Sequence, residues 1–556
     1  MTTTPVSGGQ LLVESLQQLG ASKCFGVPGE SYLDVLDALH DTKETLKFVL
    51  CRNEGGAAFM AEAYGKLTGE PGICMVTRGP GATNASIGVH TAMQNSTPMI
   101  LFVGQVGTDV RGREVFQEID YCAYFGSVAK WVVEIDDADR IPELLSRAWT
   151  TALSGRPGPV VIALPENMLT TKTTAQPCKP VRIAEPAPSP ADIAEIASLL
   201  EQSHKPLLII GGGGWTANGR AAIERFALKN ELPVAVVFRF HNLFDNHSEC
   251  YIGEAGVGMA PALQSIIREA DLILAVGIRF GEMTTAAYTL LDVPFADTTL
   301  IHIHASDREL GKIYAPQLPI QAGPNQAARV LANLEFSSNG KDWQLWRRRS
   351  RQAYLDGFNA PEQPGDVDMV AITSYLRDTL PDNVIVTNGA GNFAAWSNKF
   401  LQYGSGQRLL APQSGAIGYG LPAAIAAKIV EPHTTVVCFA GDGDFQMNCQ
   451  ELGTAMQANA QPIILILNNG SYGTIRMHQE RHYPDRVCGT ELLNPDFVSL
   501  AKAYGFHSER ISHTSEFKDA FLRALESKTG AVLELMISTE AITPLQTLSD
   551  IRNSSS

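Results

Sequence analysis

The chain has 556 residues, too many for one hydrophobic core, so two to four domains are expected. Its composition, 45% hydrophobic and 18% charged, is that of a folded protein and leaves disorder only for ends such as the polar residues 553–556. A net charge of −15 speaks against a nucleic-acid partner, which requires clustered Lys and Arg. The longest apolar runs, such as residues 462–467, fall well short of the ~20 residues that span a bilayer. Residues 1–5 lack a basic stretch followed by an apolar one, so no secretory leader and no membrane partner are expected. Nine cysteines without a C-x-x-C pair argue against a disulfide framework or a zinc site and predict a cytoplasmic protein. Cys51, Cys74 and Cys438 lie in apolar runs and read as core residues.

Short apolar runs alternate with longer amphipathic stretches, the pattern of parallel sheets covered by helices. The fold class is therefore α/β, with three doubly wound parallel-sheet domains. The first, residues 1–176, has strands near 48–51, 73–77, 99–103 and 160–163. A proline-rich stretch over 177–190 reads as a surface linker. The second domain, 191–340, opens on a helix at 191–202 and continues through strands near 206–210, 233–237, 272–276 and 300–303. A polar, tryptophan-bearing segment, 337–365, is expected to connect it to the third domain, 366–545. Strands there fall near 384–387, 435–440, 462–467 and 531–536.

Gly441-Asp442-Gly443-Asp444 stands at the end of one such strand, and Asn469 follows Asp442 by 27 residues, directly after the next. Both positions lie at the carboxyl ends of parallel strands, where open α/β sheets bind ligands. Asp442 and Asn469 offer hard oxygens to a magnesium ion, and the glycines let backbone amides approach a diphosphate. Alone, each is an ordinary turn. Glu54 opens a helix running to about Lys66, where a carboxylate is favourable on structural grounds as well. Gly79-Pro80-Gly81-Ala82-Thr83-Asn84 is a strand-to-helix turn.

The order of the pieces carries more than any one of them. Glu54-Gly55-Gly56-Ala57-Ala58, then Thr77 to Asn84, Phe116-Gln117-Glu118, the Ser154 to Val160 run, Gly418 to Ala424, and the Asp442/Asn469 pair follow in sequence. From about Val6 to Ser538 the chain resembles the thiamine diphosphate enzymes, closest to the large subunit of acetohydroxyacid (acetolactate) synthase. The resemblance implies a pyrimidine-binding first domain, a middle domain and a diphosphate-binding third domain. It also implies active sites between two subunits, hence a homodimer at minimum and a homotetramer as the usual form. Thiamine diphosphate and Mg²⁺ would be the cofactors. The substrate would be a 2-keto acid, pyruvate first, decarboxylated with transfer of the acyl fragment to a second carbonyl. A non-ligating decarboxylase, a 2-hydroxyacyl lyase or a non-catalytic homologue are the alternatives.

By position, the resemblance makes Glu54 the carboxylate on the pyrimidine nitrogen, a role that calls for shielding from water. It adds cofactor contacts at Pro28, Pro80, Asn84, Ala390, Gly391, Asn392, Gly415, Gly441, Gly443, Asp444, Tyr472 and Gly473. Ile417 would bend the cofactor, although a core isoleucine reads the same from sequence. Asp442, Asn469 and the Ser471 carbonyl would hold magnesium. Phe116, Gln117, Arg279 and His478 would border the substrate. The chain departs from the synthase pattern at Glu166, usually lysine, at His478, usually tryptophan, and at Asn392-Phe393, usually Gln-His. His478 reads equally as a proton donor and as a solvated loop residue. Flavin is a possible further cofactor, with the balance against it, because Gly211-Gly212-Gly213-Gly214 is an incomplete motif.

Overall fold

Three six-stranded parallel sheets, each flanked by helices, carry the chain. The structure, a computed structural model, describes residues 4–336 and 340–554. Ser337, where the second connection was expected to begin, and Ser555 and Ser556 of the polar tail lie outside them.

The first sheet is built from β2 (Lys23–Gly26), β3 (Lys47–Leu50), β4 (Gly72–Val76), β5 (Met99–Gln105), β6 (Trp131–Glu134) and β7 (Pro159–Pro165), in the order β3-β2-β4-β5-β7-β6. An antiparallel ribbon of β1 (Val6–Ser7) and β8 (Lys172–Thr173) closes this unit. The second sheet holds β9 (Pro206–Ile210), β10 (Val234–Val237), β11 (Tyr251–Ala255), β12 (Leu272–Val276), β13 (Thr299–His304) and β14 (Leu318–Gln321), ordered β11-β10-β9-β12-β13-β14. The third holds β15 (Ile385–Asn388), β16 (Arg408–Leu410), β17 (Val436–Gly441), β18 (Ile463–Asn468), β19 (His507–Ile511) and β20 (Ala531–Met536), ordered β16-β15-β17-β18-β20-β19. Inner strands such as β5, β7 and β18 are buried at every residue, because helices cover both faces. That is why they read as unbroken apolar runs. The sequence pattern misses β2, β6, β11, β14, β16 and β19, which are short or half-polar.

The second connection, expected as a polar, tryptophan-bearing segment, is largely helical. A helix, Gly340–Asp356, occupies most of it. Its indoles at Trp343 and Trp346 are buried and donate to the carbonyls of Ser203 and Pro206, 2.9 and 3.0 Å away. Two tryptophans three residues apart share one helix face, so an otherwise polar segment gains an anchor on the middle domain.

First and third domains share a core. Helix Glu54–Thr68 is buried from Gly55 to Gly65 and packs on helix Gly420–Val430. Glycines and alanines on both helices permit this close approach. Asn53 caps the first helix through the Gly55 N–H, and Gly69, at φ 78°, ends it in the left-handed region. Buried in the contact, Glu62 accepts from Asn95, Thr97 and the Tyr419 hydroxyl, so its carboxylate is satisfied from both domains.

Candidate active site

In the first sheet, neighbouring strands bring the expected residues to one edge. Pro28 follows β2, Glu54 follows β3, Pro80 and Asn84 follow β4, and Phe116 and Gln117 follow β5. Glu54 Oε2 accepts from Asn84 Nδ2 at 2.9 Å. In the single chain Glu54 is half-buried rather than shielded, because this edge faces outward. Phe116, after β5, is 70% exposed. Gln117 lies in the left-handed region at φ 65°, and its carbonyl accepts the Gly79 N–H at 3.0 Å. A surface cavity of about 360 Å³ opens beside Gln117, lined also by Glu114, Val115, Glu118 and Asp120. Glu166 pairs with the buried Arg78, whose guanidinium also donates to the Phe116 carbonyl. The carboxylate at the position where synthases usually carry lysine thus fastens the Phe116 loop.

The third sheet repeats the arrangement. Ala390, Gly391 and Asn392 follow β15, Gly415 and Ile417 follow β16, Asp442 to Asp444 follow β17, and Asn469, Ser471, Tyr472 and Gly473 follow β18. Asp442 is 2% exposed, and burial raises its carboxyl above the ordinary range. Asp444 is pushed up to about 7 by burial, although its Oδ1 accepts the Gly418 N–H at 2.8 Å. A Cβ on Gly443 would stand 2.5 Å from the Tyr472 ring, and one on Gly441 2.7 Å from the Phe393 ring. These glycines let the turn lie close under those rings. The two adjacent asparagines part company. Asn468 is buried and donates to Glu534 at 2.7 Å, whereas Asn469 is half-buried, its Oδ1 accepting the Ser471 N–H at 3.1 Å. Among the described residues no three His, Cys, Asp or Glu side chains group into a metal site. One aspartate, one asparagine and a carbonyl suit an ion that takes its remaining ligands from phosphate and water.

Comparison with known proteins decides the family. The N-terminal TPP binding domain of thiamine pyrophosphate enzymes matches residues 6–124, the central domain 193–331 and the C-terminal TPP binding domain 389–535. The chain is 30% identical to the acetolactate synthase isozyme 2 large subunit of Escherichia coli K12, over 96% of each chain. It is 31% identical to an acetolactate synthase of Arthrospira platensis, covering 96% of this chain and 94% of that one. Likeness to the mitochondrial acetolactate synthase catalytic subunit of Saccharomyces cerevisiae is 30%, over 95% and 80%. The chain belongs to the thiamine pyrophosphate enzyme family.

In this thiamine pyrophosphate enzyme the middle domain supplies a clamp. Arg279, after β12, is half-buried and reaches the Gln94 carbonyl and, at 3.2 Å, Gln413 Oε1, so it ties first and third domains together. Burial lowers its guanidinium to about 10. His478 stands on helix Gly473–His482 rather than on a loop, exposed and stacked on His482 at 6.4 Å. Partial desolvation, then Arg481 and His482, lower its pKa, which favours the neutral ring.

Sequence reading missed several residues of the site. Segment 490–494 runs back along 470–472 through Tyr472 N–H to Thr490 O and Leu492 N–H to Gly470 O, both 2.8 Å. This delivers Asn494 to Asp442. Thr474 receives the Asn392 N–H at 2.9 Å and donates to Asn392 Oδ1 at 3.0 Å, fixing the turn after β15. No motif marks either residue; only the folded path does. No helix among the described residues is long and apolar enough to cross a membrane.

Proposed function

We propose that this chain is an acetolactate synthase-like carboligase that decarboxylates pyruvate and joins the acyl fragment to a second 2-keto acid. The observation that carries the reading is the pair of strand-end residue sets. A carboxylate held by an amide, Glu54 on Asn84, stands on one sheet edge, and Asp442 with Asn469 stands on the other. Likeness to acetolactate synthases along almost the whole chain supports it.

Bound thiamine diphosphate supplies the carbon nucleophile and the electron sink that loss of carbon dioxide requires. Glu54 would share its proton with the pyrimidine ring nitrogen, and Asn84 would hold the carboxylate in place. Asp442, Asn469 and the Ser471 carbonyl would hold Mg²⁺, with Gly441, Gly443 and the 390–392 amides closing on the diphosphate. Pro28, Pro80, Gly415, Ile417, Asp444, Tyr472 and Gly473 would complete the cofactor walls. Phe116, Gln117 and His478 would meet the substrate. Arg279 would act on it through Gln94 and Gln413, which already occupy its guanidinium.

We further infer a homodimer as the working unit, paired into a tetramer. Phe116, Ile87, Met447 and Leu493 are exposed apolar residues near the two edges, and a second copy would cover them and shield Glu54. A cytoplasmic location fits nine free cysteines, six of them buried. Flavin is not part of the reading. A Cβ on Gly211 would stand 2.1 Å from Val237, on Gly212 2.1 Å from the Gly277 carbonyl, and on Gly213 2.0 Å from the Ser96 carbonyl. That run is small for packing against protein, and Trp215 and Asn325 already donate to its Gly211 and Gly214 carbonyls.

Proton NMR of pyruvate incubated with the protein, thiamine diphosphate and Mg²⁺ tests the reading. Acetolactate is expected. Acetaldehyde alone would assign a non-ligating decarboxylase, which His478 in place of tryptophan keeps open, and unchanged pyruvate would refute pyruvate as donor.

A further inference from the structure

Glu451 is a fully buried carboxylate, 0% exposed, that none of the cofactor contacts employs. It ends the short turn Cys449–Glu451, which follows helix Asp442–Gln446 and so continues the segment that begins at the metal-side aspartate. Its carboxylate nevertheless crosses into the first domain. Oε1 accepts the N–H of Arg52 at 3.1 Å and of Asn53 at 2.9 Å, and Oε2 meets the Arg52 N–H at 3.2 Å and the Thr454 hydroxyl at 2.6 Å. Those two amides belong to the residues directly before Glu54.

The surrounding contacts tighten the same junction. Thr454 also lies 3.2 Å from the Leu50 carbonyl, at the end of β3. Arg52 donates back to the Gly453 carbonyl at 3.2 Å and to Gln457 at 2.8 Å. The chain from β3 into the Glu54 helix is therefore gripped from both sides by the third domain. A Cβ on Gly56 would stand 2.6 Å from Glu451 Oε1 and 2.8 Å from its carboxyl carbon. The second glycine of Glu-Gly-Gly is thus small on account of Glu451. Adhesion between the domains does not by itself call for a charge here, since alanines and aromatic rings already pack the contact. A buried carboxylate is costly unless its acceptors are filled, and here they are filled by the amides that fix the start of one helix.

We propose that Glu451 is a positioning residue that aims Glu54 at the cofactor by holding the backbone of Arg52 and Asn53. This rests on the role given to Glu54 above. A displacement of about 1 Å at a reacting group costs up to about a hundredfold, so the grip is catalytically consequential.

The test uses the full-length protein. In the wild type without cofactor, the Arg52 and Asn53 amides should exchange slowly with deuterium, and rapid exchange there would overturn the proposal. With thiamine diphosphate and Mg²⁺ bound, the exchange of the cofactor's thiazolium hydrogen with deuterium oxide is read by quenched NMR. Glu451→Gln is expected to slow it about tenfold or more while cofactor affinity changes about twofold or less. Gly56→Ala, which displaces the carboxylate without removing it, should do the same, and the double variant should add little to either. Unaltered exchange in a Glu451→Gln protein that has merely lost thermal stability would reduce Glu451 to domain adhesion. Glu54→Gln separates the two claims. If it loses the exchange while Glu451→Gln keeps it, only the Glu451 role falls; if Glu54→Gln keeps it, both fall.

Discussion

The side-chain amide of Asn494 lies 2.6 Å from Asp442 Oδ2 and 2.9 Å from Asn468 Oδ1. One amide therefore orients Asp442, the proposed magnesium ligand, and the buried asparagine of the next strand together. A group that fixes a ligand's orientation is worth roughly tenfold or more in metal affinity. Asn494→Leu should weaken the Mg²⁺ dependence of cofactor binding by about that factor, read as the shift in Mg²⁺ concentration for half-maximal quenching of tryptophan fluorescence. An unshifted midpoint would show that Asp442 needs no such support.

Asn494 also marks the limit of what the sequence discloses. The strand ends and their glycine turns were legible, because fully buried parallel strands write themselves as apolar runs and close approaches as glycine. Asn468 and Asn469 look alike in sequence. Only the pairing of β18 with β20 shows that Asn468 is spent on Glu534. Asn494, Thr474 and Glu451 sit in unremarkable stretches, and their partners are 52, 82 and about 400 residues away. Tertiary hydrogen bonds of that range leave no local pattern. The tryptophan helix at 340–356 was hidden for another reason, since its polar faces outnumber the two indoles that anchor it.

The run Gly211 to Gly214 reads as a phosphate turn in sequence and as packing in the structure. Gly212 has φ 76°, and a Cβ there would meet the Gly277 carbonyl at 2.1 Å. Gly212→Ala should therefore destabilise the middle domain by about 3 kcal/mol or more, combining a left-handed alanine with backbone displacement. Thermal unfolding of the variant checks this. A near-native midpoint would mean that the run has room to spare, and would reopen a ligand role for it.

Helix Gly473–His482 carries His478 and is held by the carboxyl-terminal helix Leu548–Ser554 through Glu480. Arg552 donates to Glu480 at 2.8 and 2.9 Å, and its hydrogen bonds, with those of Asp485 N–H and Arg476, bring the Glu480 carboxyl down to about 2. An unfolded glutamate titrates near 4.3, so between about 2 and about 4 the unfolded chain binds the extra proton. Stability from this contact is thus complete above pH ~5 and is lost as pH falls toward 2. Arg552→Ala should lower the melting temperature at pH 7 and flatten its fall between pH ~5 and ~3. A variant as acid-sensitive as the wild type would assign that loss to other carboxylates.

Asn84 offers the sharpest separation of structure from chemistry at the pyrimidine side. Its amide donates to Glu54 Oε2 at 2.9 Å, and both side chains lie on the open sheet edge, where neither supports the core. Asn84→Asp replaces that donor with a second carboxylate. Two carboxylates so close cannot both stay ionised without cost, and the added acid would turn Glu54 aside or share its proton. Turnover should drop by about a hundredfold or more, because general acid–base help of this kind contributes 10²–10⁴. Measured on dissociated single chains, the melting temperature should change little, since the pair is solvent-facing there. Asn84→Ser, which keeps a donor, should lose about tenfold. Equal activity in the aspartate and serine variants would mean that Glu54 is set by its backbone alone, and would leave Asn84 no part in holding it.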